Sequence, residues 1–327
     1  MRRRELIGFA GTALFAWPVA ARAQQQATIV RLGYLTFGTA AGSANRVEAF
    51  RAGLRDLGYV EGKNLVIEFR WAGTVEQMQE AAAELVRMKV DVIFASSSTE
   101  SEPARRATST IPIVFATHAD PVGVGHVSSL ARPGGNMTGL ADIQTVITPK
   151  RMEILKETVP RATRFGVLWT PTAPSGRPFV QAAEQSRGKL GVQLLAVSVS
   201  TVADFDGAFA TMAREHVGGV LVHGAALTAR QNPQLLAEVA LKHRLPTMFG
   251  PRGNVLTGGL MSYAPDHVEL TRRAAVYIDK ILKGAKPAEL PVEQASRYQL
   301  VINRKTASLL GLTIPPSILA RADEVIG

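Results

Sequence analysis

The sequence predicts an α/β protein made of two doubly wound parallel-sheet lobes joined by a hinge. Three observations carry this expectation. The chain duplicates itself at matched intervals, short apolar strand segments alternate with helical ones, and 327 residues suffice for two domains of about 100 to 200 residues each.

The first copy opens at Arg31-Leu32-Gly33-Tyr34-Leu35 and the second at Arg164-Phe165-Gly166-Val167-Leu168, both short runs of strand-forming residues. A helical stretch follows each at three-to-four spacing, through Val47, Phe50, Leu54 and Leu57 in one copy and Phe179, Ala182, Ala183, Ser186 and Leu190 in the other. Gly58 and Gly191 stop these helices, each 25 residues after the glycine of its opening strand. Second strands are expected over 64–69 and 192–199, second helices over 76–88 and 202–214, and third strands over 90–95 and 217–222. Fourth strands are expected over 111–115 and 245–249, where Pro112 follows Gly58 by 54 residues and Pro246 follows Gly191 by 55. Two intervals that agree within one residue argue for two copies of one βαβαβ module.

Strands joined by helices run parallel with right-handed crossovers, so each copy becomes an open sheet covered on both faces. Ligands of such sheets bind at the carboxyl ends of the strands. In the first copy that selects Thr36 and Phe37, Trp71, Ser97, Ser98 and Thr99, and then Thr117 and Asp120. In the second it selects Trp169, His223 and Gly224. Asp142 and Tyr263 fall where the chain is expected to cross between lobes, near 142–147 and near 263–266. Together these are the candidate ligand-binding residues. Ser96 to Thr99 read either as an ordinary helix cap or as a helix start whose N–H groups receive a carboxylate. Asp120 reads either as an acceptor for a ligand ammonium or as a simple Asp-Pro turn. The rings of Trp71, Trp169 and Tyr263 suit an apolar or aromatic ligand part, or the core.

Composition narrows the function class. There is no cysteine, which removes disulfides, thiolate metal sites, a cysteine nucleophile and a lipid-modified cysteine at the start of the mature chain. The net charge of +10 includes +3 from Arg2, Arg3, Arg4, Glu5 and Arg22, and the rest is scattered without aromatic interleaving, so no nucleic-acid partner is expected. The sequence holds no Gly-x-Ser-x-Gly elbow, no phosphate-binding Gly-x-x-x-x-Gly-Lys-Ser/Thr loop and no His-Glu-x-x-His pair. No catalytic residue, metal site or cofactor is expected. His118, Asp120 and His126 read as solvated loop residues.

Residues 1–23 have a basic start, an apolar run from Leu6 to Ala20 and then Ala21-Arg22-Ala23, the pattern of a cleaved signal peptide. Arg3-Arg4-Glu5-Leu6-Ile7 is similar to a twin-arginine signal, so a periplasmic location is expected, with that route as one option.

Several further segments carry a family resemblance. They are Glu48-Ala49-Phe50-Arg51-Ala52-Gly53-Leu54 with Leu57-Gly58-Tyr59-Val60-Glu61-Gly62, Ile111-Pro112-Ile113-Val114-Phe115, and Ser129-Leu130-Ala131-Arg132-Pro133-Gly134-Gly135-Asn136. Gly259-Leu260-Met261-Ser262-Tyr263, Lys280-Ile281-Leu282-Lys283-Gly284 and Leu312-Thr313-Ile314-Pro315-Pro316 continue it over the mature chain. The whole resembles the substrate-binding proteins of ABC transporters that include tryptophan- and tyrosine-binding receptors. The resemblance implies a type I periplasmic-binding fold, closure of the lobes on a small-molecule ligand, and partnership with a permease and an ATPase. The division expected is lobe 1 over 28–142 plus about 266–290 and lobe 2 over 143–265 plus about 291–327, in a monomer. The function read from this is uptake of a small amino-acid-like or aromatic carboxylate solute. A periplasmic sensor for a membrane signalling protein and an enzyme on small carboxylic acids are the alternatives.

Overall fold

The computed structural model describes residues 29–224 and 232–327. The leader read in residues 1–23, and the part of the loop after β8 beyond Gly224, lie outside the described residues.

The first sheet contains β1 (Val30–Phe37), β2 (Leu65–Ala72), β3 (Val92–Ser97), β4 (Ile113–His118), β5 (Met137–Ala141) and the short β11 (Glu293–Gln294), in the order β11-β5-β4-β3-β1-β2. The second contains β6 (Arg164–Trp169), β7 (Gln193–Ser198), β8 (Val220–Val222), β9 (Thr247–Phe249), β10 (Met261–Ala264), β12 (Gln299–Asn303) and β13 (Glu324–Ile326), in the order β13-β12-β10-β9-β8-β6-β7. The first five strands of both sheets share one order, 2-1-3-4-5, and run parallel. In that order the topological switch falls between the first and third strands, where connections leave in opposite directions and open a crevice.

Helices cover both faces of each sheet. α1 (Ala40–Asp56), α2 (Val75–Arg87) and α3 (Ser98–Ala107) belong to the first sheet, and α4 (Gln144–Thr158), α5 (Gly176–Leu190), α6 (Asp204–Arg214), α7 (Pro233–Lys242) and the single turn α8 (Gly253–Leu256) to the second. α9 (His267–Leu282) follows the second sheet in sequence but packs on α1 beside the first. α10 (Arg304–Leu309) and α11 (Pro316–Leu319) close the chain on the second. The buried apolar residues accordingly form four clusters, one for each face of each sheet. Strands such as β3 and β4 are buried at every position, which explains why they read as continuous apolar runs rather than alternating ones.

The duplicated glycines have a packing role. A Cβ on Gly33 would lie 2.9 Å from the Leu85 side chain of α2, and one on Gly166 would lie 2.7 Å from Met212 of α6. In both copies the second helix sits directly on the first strand, so only glycine fits beneath it. Local signals set the helix ends: Thr39, Thr74 and Asp266 accept N-cap bonds from Gly42, Gln77 and Val268, and Gly191 ends α5 in the left-handed region at φ 62°.

Two sequence expectations are corrected in detail. The segment 96–100 is not a loop: β3 runs to Ser97 and α3 begins at Ser98, so strand passes into helix without an intervening turn. The fourth strand of the first copy lies over Ile113–His118 rather than 111–115, carrying Thr117 and His118 into the sheet.

The chain passes between the sheets three times. It leaves the first after Ala141, returns after Ala264, and leaves again between Gln294 and Gln299. Ala295 N still donates to Ala141 O, which holds the last departure on the first sheet to that point.

Candidate functional site

The carboxyl end of the first sheet is lined with hydroxyl groups. Thr36 bonds to Ser96 (3.1 Å), and Thr117 donates to the Ser96 carbonyl (2.9 Å). The buried Glu100 accepts from Phe37 N (2.9 Å), from Ser96 Oγ (2.8 Å) and from Ser97 Oγ. Ser97 is the N-cap of α3, accepting from Thr99 N. The cap reading of this segment therefore describes Ser97, whereas the hydroxyls of the buried Ser98 and Thr99 have no partner.

A second group lies where β5 hands the chain to α4. Asp142 is fully buried, and its Oδ2 accepts from Gln144 Nε2 and from His267 Nε2, both at 3.0 Å. Its carbonyl accepts from the Tyr298 hydroxyl at 3.3 Å. Gln144, His267 and Tyr298 stand at the first, second and third passages between the sheets, so one residue ties all three. Ile143, immediately after it, is held at φ 43°, a left-handed conformation that β-branched residues avoid.

Arg151, two turns along α4, is also fully buried. Its Nε donates to the Tyr263 carbonyl at 2.7 Å, and both Nη atoms lack partners. Burial lowers its pKa to about 10, against the opposing attraction of Asp142, so the guanidinium is still charged at neutral pH. Tyr263 stacks on Tyr298 at 5.7 Å between centroids.

The second sheet contributes Thr170 and His223. His223 Nε2 lies 3.0 Å from Ser175 Oγ and its ring packs on Phe179. Burial, with the nearby Arg151 charge adding to it, brings its pKa down to about 3, so the imidazole is neutral. Gly224 and Gly250 leave room here: a Cβ would lie 3.0 Å from Gln144 Oε1 at the first and 3.1 Å from Arg151 Nη2 at the second.

Among the described residues, buried polar atoms without a hydrogen-bond partner are concentrated in this region: Ser98 Oγ, Thr99 Oγ1, Asp142 Oδ1, Gln144 Oε1, Arg151 Nη1 and Nη2, Thr170 Oγ1 and His223 Nδ1. Ser98, Asp142, Thr170 and His223 are each the first residue after a strand, namely β3, β5, β6 and β8. An unpaired buried polar atom costs about 1 to 3 kcal/mol, more when charged, so atoms concentrated in this way are suited to hydrogen-bond a polar solute. A recess of about 100 Å³ opens between the sheets nearby, lined by Phe37, Met78 and Thr99 on one side and by Thr172 and Pro174 on the other. Asp142, Arg151 and His223 do not line it.

The remaining candidates are placed otherwise. Trp71 stacks on Phe69 (5.8 Å) beside Tyr34, in the aromatic core under α1. Trp169 is half-buried against Gly176. Asp120 Oδ1 accepts from Gly123 N (2.8 Å), closing a turn, and its Oδ2 accepts from Thr145 at 3.4 Å. His118 and His126 are buried rather than solvated, which corrects the sequence reading. Asp120 N donates to His118 Nδ1, His118 Nε2 is 2.7 Å from His126 Nδ1, and His126 Nε2 is 2.8 Å from Glu102. Burial lowers both histidine pKa values. Burial opposes ionisation of Glu102, but hydrogen bonds from Arg105, Arg106 and His126 overcome it and bring that carboxyl down to about 2.

Sequence reasoning missed Gln144 and Arg151. The available signal was an arginine within a buried helical stripe, since Ile147, Thr148, Arg151, Met152, Ile154 and Leu155 all face inward.

The chain is similar to a tyrosine-binding protein from Clostridioides difficile, 26% identical over 266 residues, covering 81% of this chain and 76% of the relative. A solved ABC domain in complex with L-Trp from Streptococcus pneumoniae superposes with a TM-score of 0.85 at 25% identity, covering 91% of this chain and all of that one (100%). A leucine-binding protein from Thermotoga maritima shares the fold at a TM-score of 0.57 and 15% identity, over 80% of this chain and 78% of its own. The family model for ABC transporter substrate binding proteins matches residues 39–326. Two sheets of like topology, three connections between them and a polar cluster at their facing strand ends are thus the features of a chain that belongs to the ABC transporter substrate-binding protein family.

Proposed function

We propose that this chain is the exported receptor of an ABC uptake system, working in the periplasm as a monomer. It takes a small amino-acid-like or aromatic carboxylate solute between its two sheets and presents it to a permease driven by an ATPase. The observation that carries the reading is the set of unpartnered buried polar atoms at the first positions after β3, β5, β6 and β8. The two similar proteins whose names mention tyrosine and L-Trp support an amino-acid-like solute. For export, the leader supplies the argument. Among the described residues no helix is long and apolar enough to cross a membrane.

In this reading, residues 29–142 with about 266–295 move as one lobe, a few residues past the expected 290 because β11 pairs with β5, and 143–265 with about 296–327 as the other. The ligand shifts the equilibrium toward the closed form by its differential affinity for that form. A thermal-shift screen of the purified protein against amino acids, carboxylates and aromatic acids tests it. A true ligand at 100 times its Kd stabilises by about 2.7 kcal/mol. A flat response to every solute at millimolar concentration contradicts the reading.

A further inference from the structure

A chain of buried titratable side chains lies beside the first passage between the sheets, apart from the unpartnered polar atoms. Asp120 N donates to His118 Nδ1 at 3.2 Å, His118 Nε2 lies 2.7 Å from His126 Nδ1, and His126 Nε2 lies 2.8 Å from Glu102. Both ends fix its direction. A backbone N–H can only donate, so His118 Nδ1 carries no proton and Nε2 carries the one of the neutral ring. Glu102, ionised among Arg105 and Arg106, can only accept, so His126 donates from Nε2 and accepts from His118 at Nδ1. Three joints thus hold three hydrogens, all pointing from Asp120 towards Glu102.

A further proton has no place in this arrangement. On His126 Nδ1 it meets the hydrogen of His118 Nε2. If His118 changes tautomer to receive it, the new hydrogen on Nδ1 meets that of Asp120 N. Either way one joint opens. The charged and titratable groups around the two rings are Glu102, Arg105 and Arg106 from α3, the Asp120 carboxylate and, beyond the His118 carbonyl, Asp142 with His267 of α9. Burial disfavours charge on both rings, Glu102 favours a proton on His126 and Arg105 opposes it, so the chain is intact at neutral pH.

The His118 carbonyl accepts from Asp142 N at 3.0 Å and from Ile143 N at 3.4 Å, and so holds the turn in which Ile143 takes its left-handed conformation. Such a conformation persists only where its surroundings over-determine it. The loop 119–127 folds on itself through bonds from His126 N and Val127 N to Pro121 O, and Thr145 of α4 donates to Asp120 Oδ2 at 3.4 Å. Glu102 and Arg106 also line the recess between the sheets, so the chain joins the recess wall to the passage.

We propose that the chain from Asp120 through His118 and His126 to Glu102 is an acid-operated catch on the first passage between the sheets. Uptake of one proton breaks one of its joints and loosens both the loop 119–127 and the turn at Asp142 and Ile143. The catch belongs to the fold and does not depend on which solute is bound, so its failure leaves the receptor reading intact.

Nitrogen-15 NMR of the imidazoles and amide hydrogen exchange of the ligand-free protein test it. At pH 7.5 both rings are expected as the neutral tautomer protonated at Nε2. Between pH 7.5 and pH 4.5 the amides of Asp120, Asp142 and Ile143 are expected to lose at least about 10-fold in protection, after correction for intrinsic exchange, while those of β1 and β3 keep theirs. In His126→Gln, whose amide offers one acceptor and one donor but takes no proton, the acid response of the three amides disappears. In His126→Leu they are poorly protected at both pH values. A ring protonated at Nδ1 at pH 7.5, unchanged protection at pH 4.5, or a loss shared equally by β1 and β3 overturns the proposal on the unaltered protein alone, whether or not a variant folds. An acid response that persists in His126→Gln, or full protection in His126→Leu, overturns it as well.

Discussion

Replacing Arg151 by methionine separates a binding group from a structural one. A buried arginine that served the fold would cost about 3 to 5 kcal/mol on truncation, because its partner is left alone. Here burial lowers the guanidinium pKa from 12.5 to about 10, which at 1.36 kcal/mol per unit corresponds to about 3 kcal/mol spent on holding the charge. Against this, Arg151→Met loses the bond from Nε to the Tyr263 carbonyl, worth about 1 to 2 kcal/mol, while the attraction to Asp142 is already contained in the lowered pKa. Methionine keeps most of the side-chain volume at this buried position of α4. The expectation is a ligand-free protein within about 2 kcal/mol of the original, on the stable side, that has lost the rise in Tm caused by the solute. Thermal melts followed by circular dichroism, with and without the best solute of the screen, measure both quantities. A ligand-free loss above about 3 kcal/mol, combined with an intact ligand response, refutes the reasoning.

Acid sensitivity follows from the buried histidines. His118, His126 and His223 are all depressed in the folded state, His223 to about 3, so below about pH 6.5 the unfolded chain takes up protons that the folded chain does not. Stability therefore falls with acidification below about pH 6.5, for His223 through the window down to about 3 by up to about 1.4 kcal/mol per pH unit, with His118 and His126 acting in the same direction. Melts at pH 7.5, 6 and 5 should show a declining Tm whose slope is reduced in His223→Gln, and an unchanged Tm across this range contradicts the assignment. The return of α9 to the first sheet is tested at Gly53, where a Cβ would run into the Arg272 carbonyl. Gly53→Ala should cost about 1 to 3 kcal/mol by forcing α1 and α9 apart, and a variant as stable as the original would mean that the two helices do not approach this closely.

Much of the fold was legible because duplication and apolar runs are local signals. The glycines at 33 and 166 marked equivalent strands because each lies under a helix that tolerates no side chain. Boundaries drifted by a few residues where propensity and pairing disagree, as at β4, where Thr117 and His118 join the sheet through tertiary contacts to Ser96 and His126. The strand-end rule pointed to Ser98 and His223, and the expected crossing between lobes to Asp142; their unpartnered atoms now define the candidate site. It was weaker for rings. Trp71 also ends a strand, but on β2 it shares a face with Phe69 and is absorbed by the stack there. Arg151 was overlooked, despite its place in an apolar helical stripe, because its partner, the Tyr263 carbonyl, is 112 residues away and a lone arginine in a helix usually reaches solvent. The histidine chain from His118 to Glu102 was hidden for the same reason, since the loop that carries His126 gives no sign of folding back onto α3.

If this chain is a receptor, the cleft between its two sheets receives one small amino-acid-like or aromatic carboxylate solute. Native mass spectrometry of the protein, equilibrated with the amino-acid panel and then desalted, tests this most directly. A single 1:1 adduct with a solute of the panel is expected in the unaltered protein, and its disappearance in Arg151→Met. An adduct that persists in that variant, or a protein that carries no solute from the panel, contradicts it.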